Sequence, residues 1–199
     1  MVGNFEQQLS FGKIGEGRIA SWLREKKAYN ALPVYEKEIK EGKGPALFST
    51  IGQLIAPDLL CFKSNDLGSV LWVEAKTKTA FTWHRLTRRW VTGIDLRHYE
   101  DYQKVASLSP FPVWVLFLHL CGTAKDTPQG MVSPSGLFGR ELAYLTKHEN
   151  HRHGNWGKGG MVYWAIEDLK KLAAIEDVLT ESEAAFTKLE AARAEQLAF

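Results

Sequence analysis

The sequence predicts an α/β fold in which a mixed central β-sheet is flanked by helices. Three observations predict it: a helical pattern near the N-terminus, two strand-like segments joined by a turn sequence, and a continuously apolar run at 111–120 that follows a second helical pattern. Strand and helix periodicities that alternate along one chain are typical of this class. The 199 residues, of which 45% are hydrophobic, are enough for one sizeable core.

We divide the chain into one domain, residues 1–175, and a C-terminal helical extension, residues 176–199. The extension is rich in Ala and Glu, and its helix is predicted to begin near Thr180.

The first helix is predicted over FGKIGEGRIASWLREKKAY, residues 11–29, with Ser10 as its N-cap. Ile19, Trp22 and Leu23 form its apolar stripe. LPVYEKEI, residues 32–39, alternates and is predicted to be a strand. The next segment, KEGKGPALFSTIGQ, is predicted to be a loop or a short helical turn.

A β-hairpin is predicted from PDLLCFK, residues 57–63, and SVLWVEAK, residues 69–76. The connecting SNDLG is a turn sequence of the kind that closes antiparallel hairpins.

After the hairpin, TKTAFTWHRLTRRWVTG is irregular in pattern, whereas DLRHYEDYQKVASL, residues 95–108, predicts a helix with Asp95 as N-cap. FPVWVLFLHL is predicted to be a central strand covered on both faces. A short helix near 137–146, a flexible loop HENHRHGNWGKGG and a last strand MVYWAIED complete the prediction.

Several functional classes are disfavoured by missing motifs. No GxxxxGK[ST] and no strand-coupled GxGxxG occurs, so we expect no nucleotide cofactor. No signal peptide pattern or bilayer-length apolar run occurs, so we expect a cytoplasmic protein without a membrane partner. Cys61 and Cys121 lie in or beside apolar runs and are predicted to be buried, reduced thiols.

Charged residues within the hairpin strands are the main functional indication. Glu74 and Lys76 project from one strand face, because side chains alternate along a strand. If the hairpin is symmetric about Asp66, Asp58 lies opposite Glu74 with Cβ atoms roughly 5 Å apart, whereas a slip of one residue would pair Asp58 with Ala75.

Two facing carboxylates repel each other unless a cation lies between them, and Mg²⁺ suits a partly open carboxylate site. We therefore predict Mg²⁺ as cofactor, with Mn²⁺ as a substitute. Lys76 would orient or deprotonate a water, or stabilise charge on a phosphate oxygen. The structural alternative is that Asp58 caps its own turn and that Glu74 and Lys76 form a solvated ion pair.

Pro57 and Asp58, followed by Glu74, Ala75 and Lys76, resemble the PD-(D/E)xK nuclease motif. The resemblance implies a restriction-endonuclease-like core with the order αβββαβ. It further implies that Asp58, Glu74, the carbonyl of Ala75 and Glu16 of the first helix bind metal, with Glu36 or Glu38 as the alternative to Glu16. The same resemblance implies that Tyr99 and Gln103 on the next helix support the site.

Within that superfamily the chain is more similar to Holliday-junction-resolvase-like or phage-type nucleases than to sequence-specific restriction enzymes. This resemblance implies a homodimer, because a junction has two-fold symmetry.

A basic segment follows the motif directly. Residues 76–92 contain no acidic side chain and mix basic with aromatic residues, which suits phosphates and exposed bases. The alternative is a solvated loop whose tryptophans pack into the core. With one residue of the next helix, the predicted nucleic-acid-binding set is Lys78, Trp83, His84, Arg85, Arg88, Arg89 and Arg97.

The histidines of the later loop, His148, His151 and His153, lack the companions of a zinc motif and are expected to contact substrate or solvent.

The sequence therefore predicts a divalent-metal-dependent nuclease that hydrolyses DNA. The alternatives are an RNA-cutting enzyme and a non-catalytic nuclease-fold protein that binds nucleic acid or serves in an assembly.

Overall fold

The computed structural model describes residues 3–34, 45–120, 122, 127–154 and 159–179, without the side chains of 3–11 and 67. Its helices are α1 (Gly3–Lys27), α2 (Leu96–Leu108) and α3 (Leu142–Leu145). Its strands are β1 (Asn30–Pro33), β2 (Ala46–Ser49), β3 (Gly52–Ile55), β4 (Leu59–Lys63), β5 (Asp66–Lys78), β6 (Thr82–His84), β7 (Arg89–Asp95), β8 (Val113–His119), β9 (Gly136–Glu141), β10 (His151–His153), β11 (Met161–Ala165) and β12 (Lys170–Ala173).

The central sheet has six strands in the order β1-β4-β5-β8-β9-β12. Among the strands that the structure describes, only β5 and β8 pair in parallel, and α2 lies between them in the chain, as a parallel connection requires. If only the helices and the strands of the central sheet are counted, the elements up to β8 follow one another as α1, β1, β4, β5, α2 and β8. This is the predicted order αβββαβ. The predicted α/β class with a mixed sheet flanked by helices is confirmed.

The two faces of β5 belong to different parts of the core. Val73 and Ala75 pack in one cluster with Ile19, Trp22 and Leu23 of α1. Trp72, on the opposite face of β5, packs against a second cluster that contains residues of α2. Glu74 and Lys76 share the face of Trp72, so the fold directs them toward α2 and away from α1.

A second sheet, in the order β10-β11-β7-β6, covers the same side of the central sheet as α2. Trp90 and Ile94 of β7 and Trp164 of β11 pack in one cluster with Val115 and Phe117 of β8. Since β7 leads directly into α2, this sheet borders the space occupied by Glu74 and Lys76.

Helix α1 approaches β5 closely at Gly15. A Cβ atom built on Gly15 would lie 1.6 Å from Oγ1 of Thr77, whereas one built on Gly17 would meet nothing within 4 Å. Gly15 is therefore required by packing, and Gly17 is not.

Several predicted element bounds were wrong. Helix α1 begins at Gly3, not near residue 11, because Glu6, Gln7, Gln8 and Leu9 are good helix formers that extend it past the predicted cap Ser10. The predicted strand 32–39 is described only as β1, which starts at Asn30.

Short strands replace segments predicted to be irregular or helical. Residues 46–55 form the hairpin β2–β3, and the segment after β5 forms the hairpin β6–β7. The predicted helix 137–146 is strand β9 followed by the single turn α3, and the predicted loop after it contains β10.

Some predictions fall outside the described residues: Cys121, Glu36, Glu38 and the helix from Thr180. Cys61 is a free, buried thiol, as predicted, and burial raises its pKa to about 12. Ile175 and Val178 are buried against the α1 side of the central sheet, so the packed core continues to at least Val178.

Within the described ranges, no helix combines the length and the apolar character needed to cross a membrane.

His119 at the end of β8 is expected to make unfolding pH-dependent. It is fully buried, stacks on Phe81 at 3.5 Å between ring centroids, and its Nε2 lies 3.1 Å from Oγ1 of Thr92. Burial, with the nearby charge of Lys78, lowers its pKa from 6.5 to about 3.

The folded state disfavours the protonated form of His119. The contribution of His119 to the free energy of unfolding is therefore fully present above pH 6.5 and is lost as the pH falls toward 3. Between pH 7 and pH 5 we expect the free energy of unfolding to fall by about 2 kcal/mol through this residue. Urea unfolding of His119→Gln should lack this component, whereas the exposed-site variant His148→Gln should retain it. Equal pH dependence in wild type and His119→Gln would contradict the assignment.

Candidate active site

The hairpin β4–β5 brings Asp58 and Glu74 together. Leu59 pairs with Val73 and Leu60 with Trp72, which is the predicted register at the carboxylates and excludes the slip of one residue. The hairpin is not symmetric about Asp66, however, because Lys63 pairs with Asp66 and the register shifts between Cys61 and Lys63. Asp58 directly precedes β4, and its Oδ2 accepts a hydrogen bond of 2.9 Å from the backbone N–H of Ala75. The carboxylate of Asp58 is thereby held across the hairpin beside Glu74.

Glu74 is the most buried charged residue of this group, with no exposed surface. Its Oε1 forms an ion pair with Nζ of Lys76, whose side chain is 27% exposed. Within the described part of the chain, neither oxygen of Glu74 makes a hydrogen bond of standard geometry. A buried carboxylate with unused acceptor positions can accept a further cation or donor, since leaving it unsatisfied is costly.

The negative charges of the two carboxylates favour the protonated forms of Asp58 and Lys76. Burial, followed by the negative charge of Glu74, raises the pKa of Asp58 from 3.8 to about 7. Burial lowers the pKa of Lys76, but the charges of Glu74 and Asp58 outweigh it and raise the pKa above its ordinary value. Lys76 therefore stays protonated, which favours charge stabilisation over the role of general base.

Helix α2 contributes Tyr102 and His98, which the sequence analysis did not assign to the site. Tyr102 is 1% exposed, and burial, then the charges of Glu74 and Asp58, raises the pKa of its hydroxyl well above 10. Its oxygen lies 3.4 Å from Nδ1 of His98. Burial, then the charge of Lys76, lowers the pKa of His98.

Tyr99 and Gln103, the predicted supporting residues, make their hydrogen bonds elsewhere. The hydroxyl of Tyr99 donates to Glu149 at 2.6 Å, and Nε2 of Gln103 donates to Oγ1 of Thr146 at 3.4 Å. These contacts lie toward α3 and the segment after it. Tyr99 with Gln103 and His98 with Tyr102 are both spaced i, i+4 on one helix, so spacing alone could not have distinguished the two pairs.

Asp95, at the junction of β7 and α2, is a further charge that sequence reasoning assigned only as a cap. Its side chain makes no capping hydrogen bond to α2. Its negative charge instead favours the protonated forms of Lys76, Lys78 and His98, although burial and the charge of Lys76 lower the pKa of Lys78 and of His98 overall.

Glu16 is not brought to the pair. It is half-buried on α1, next to Gly15, and α1 packs on the Val73 face of β5. Over the described ranges, no group of three or more His, Cys, Asp or Glu side chains could hold one metal ion. Among the described residues, the predicted acidic metal ligands that lie together are thus Asp58 and Glu74. The alternatives Glu36 and Glu38 and the carbonyl of Ala75 remain predictions.

Two carboxylates are sufficient for Mg²⁺ when water and substrate phosphate complete its coordination. The buried carboxylate of Glu74, paired with Lys76, and the hydrogen-bonded Asp58 opposite it fit that donor set.

The predicted basic segment is a hairpin and not a solvated loop. Trp83 packs edge-on against the buried Trp90 with centroids 5.2 Å apart, so both tryptophans serve the core, as the structural alternative had it. His84 stacks on His151 at 3.9 Å, and His151 stacks on Tyr163 at 4.6 Å.

The remaining members of the predicted nucleic-acid-binding set divide into two groups. Lys78 follows Lys76 on the same face of β5, and burial, then the charge of Lys76, lowers its pKa. The other members are exposed to solvent in the turn between β6 and β7, at the start of β7 or on α2. They are Arg85, Arg88, Arg89 and Arg97.

No protein-family profile matches this sequence, and no curated protein sequence matches it. Among solved structures, the fold is similar to that of Archaeoglobus fulgidus Hjc, a Holliday junction resolvase from an archaeal hyperthermophile. The two share 10% sequence identity, the match covers 79% of this chain and 90% of that chain, and the TM-score is 0.45. Similarity at this level does not establish a shared activity.

Proposed function

We propose that this protein is a divalent-metal-dependent nuclease of the PD-(D/E)xK type that hydrolyses DNA phosphodiester bonds. The observation that carries the proposal is the pair formed by the half-buried Asp58 and the fully buried Glu74, held side by side across one hairpin with Lys76 on the same strand face as Glu74. A protein that only binds nucleic acid gains nothing from two mutually repelling carboxylates that are withdrawn from solvent in this way.

Asp58 and Glu74 would hold the metal, with the carbonyl of Ala75 as a third protein ligand. Bound Mg²⁺ supplies Lewis-acid polarisation of the scissile phosphate and lowers the pKa of a bound water. Lys76, protonated and partly exposed, lies where it can neutralise charge that develops on a phosphate oxygen. Tyr102 of α2 is buried on the side of the central sheet that Glu74 faces.

The substrate would approach along the exposed basic surface that begins at Lys78 and continues over the hairpin β6–β7. We further propose a preference for junction or branched DNA and a homodimeric assembly, the properties that the motif resemblance implies. The free buried thiol of Cys61 suits the cytoplasm, the compartment that this proposal assigns.

The proposal is tested by incubating labelled duplex, single-stranded, flapped and four-way-junction DNA with Mg²⁺, Mn²⁺ or EDTA. We expect cleavage with either metal and none with EDTA. Matched RNA substrates in the same assay separate the RNA-cutting alternative. Binding of DNA without cleavage under any metal would contradict the proposal and support the non-catalytic alternative.

A further inference from the structure

The tip of the hairpin β6–β7 carries an apolar side chain in basic surroundings. Leu86 is 89% exposed, the largest exposure among the large hydrophobic side chains of the described residues. Single exposed apolar residues are common and carry no meaning alone. Leu86 differs because it sits in a four-residue turn that also contains Arg85 and Arg88, with Arg89 at the start of the next strand.

The hairpin is fixed to the protein below its tip. Trp83 and Trp90 are directly paired across the strands and pack into the core. Nδ1 of His84 lies 2.8 Å from Oγ1 of Thr87, and Arg88 has a left-handed φ of 52°, so the turn has a defined shape. The His84 ring is itself stacked on His151 of the distant strand β10. The hairpin β6–β7 therefore holds the backbone of Leu86 in a defined position at the surface.

We propose that Leu86 is a wedge that enters the base stack of DNA where stacking is already interrupted, at a branch point. This inference rests on the proposed nuclease function and specifies its substrate class. Apolar side chains inserted between base steps are favoured where unstacking costs least, and flanking arginines bind the phosphates on either side. No acidic residue occurs between Glu74 and Asp95 to oppose that approach.

The position of the wedge relative to the carboxylates predicts where the strand is cut. Strand β7 runs from Arg89 at the tip to Asp95, whose charge acts on Lys76. Six residue steps along an extended strand span about 20 Å. One DNA strand rises about 3.4 Å per nucleotide, so the cut should lie within about six nucleotides of the branch.

The test compares wild type, Leu86→Ala and the control Val132→Ala, which removes another exposed apolar side chain, 82% exposed in a loop. Binding is measured in EDTA by fluorescence anisotropy, with a continuous duplex and a three-way branched DNA of the same sequences. The branched DNA carries 2-aminopurine at the branch to report unstacking.

Wild type and Val132→Ala should bind the branched DNA about tenfold more tightly than the duplex, with a rise in 2-aminopurine fluorescence. Leu86→Ala should reduce this preference to less than about twofold and lose the fluorescence rise, with little change in duplex affinity. Arg88→Ala should weaken binding to both DNAs alike, unlike the control Lys170→Ala on β12.

An unchanged branch preference in Leu86→Ala would overturn the wedge, as would wild-type cuts far beyond six nucleotides from the branch. The nuclease proposal would still stand in either case if the wild-type protein cleaves DNA in a metal-dependent way. A wild-type protein that neither binds nor cuts any DNA would overturn both.

Discussion

Glu74→Gln is expected to lower metal-dependent DNA cleavage by about 10³-fold or more, because it removes one of the two charges that would hold the cation. The amide keeps the size of the buried side chain but not its charge. The loss of several kcal/mol of charge stabilisation, taken as about 4 kcal/mol, corresponds to this factor. Initial rates on labelled branched DNA with Mg²⁺ provide the measurement.

The matched control is Glu167→Gln, an exposed carboxylate in the short turn after β11. It should cleave like wild type. The substitution also breaks the ion pair with Lys76, so thermal unfolding is measured to check that Glu74→Gln is folded. We expect a folded protein. Folded Glu74→Gln protein with more than about a tenth of wild-type activity would exclude Glu74 as a metal ligand in the reaction.

Gly15→Ala is expected to lower the free energy of unfolding by about 3 kcal/mol, because its new Cβ atom would overlap the side chain of Thr77. Relief requires α1 to move away from β5, which loosens the packing of Ile19 and Leu23 against Val73 and Ala75. Urea unfolding monitored by tryptophan fluorescence provides the measurement.

Gly17→Ala serves as the control in the same helix, since its Cβ atom would enter open space. Replacement of glycine by alanine there should stabilise the protein by about 0.5–1 kcal/mol. The double variant Gly15→Ala, Thr77→Ala should recover part of the loss, because it removes Oγ1 but not the Cβ atom of Thr77. Equal effects at both glycines would show that α1 does not pack on β5 as described.

The central hairpin and its carboxylates could be predicted from the sequence because the alternation of side chains indicates which face of a strand each residue occupies. The predicted pairing of Asp58 with Glu74 agrees with the observed pairing of Leu59 with Val73. The predicted symmetry about Asp66 did not produce this register, because β5 begins at Asp66 and the register shifts between Cys61 and Lys63. The hydrogen bond from the Ala75 N–H to Asp58 was not predicted. The long helix α2 and the apolar strand β8 were predicted for the same reason of strong periodicity.

The short strands could not be predicted in this way. β2, β3, β6, β10 and β12 have three or four residues each, too few to show a period, and they are defined by their partners in the sheet. In β6–β7, Trp83 pairs with Trp90 across the two strands. The basic residues around them interrupt the strand pattern in the sequence, so this pairing was not predicted.

The helix residues nearest the carboxylates could not be chosen from the sequence, because periodicity identifies a helix face but not what that face packs against. Tyr99 and Tyr102 are three residues apart and both are buried, and the charges of Glu74 and Asp58 act on Tyr102. Likewise, the sequence placed Glu16 on the first helix but could not tell which side of the central sheet that helix covers. Those choices depend on how the helices dock, which is a tertiary property.

The most direct test of the account is calorimetric titration of Mg²⁺ and Mn²⁺ into wild type, Glu74→Gln and Glu167→Gln in the absence of DNA. We expect a carboxylate-dependent metal site in wild type and in Glu167→Gln, with an affinity at least about tenfold weaker in Glu74→Gln. Wild-type protein that binds neither metal, or Glu74→Gln that binds them as wild type does, would contradict the assignment of Asp58 and Glu74 as the metal site.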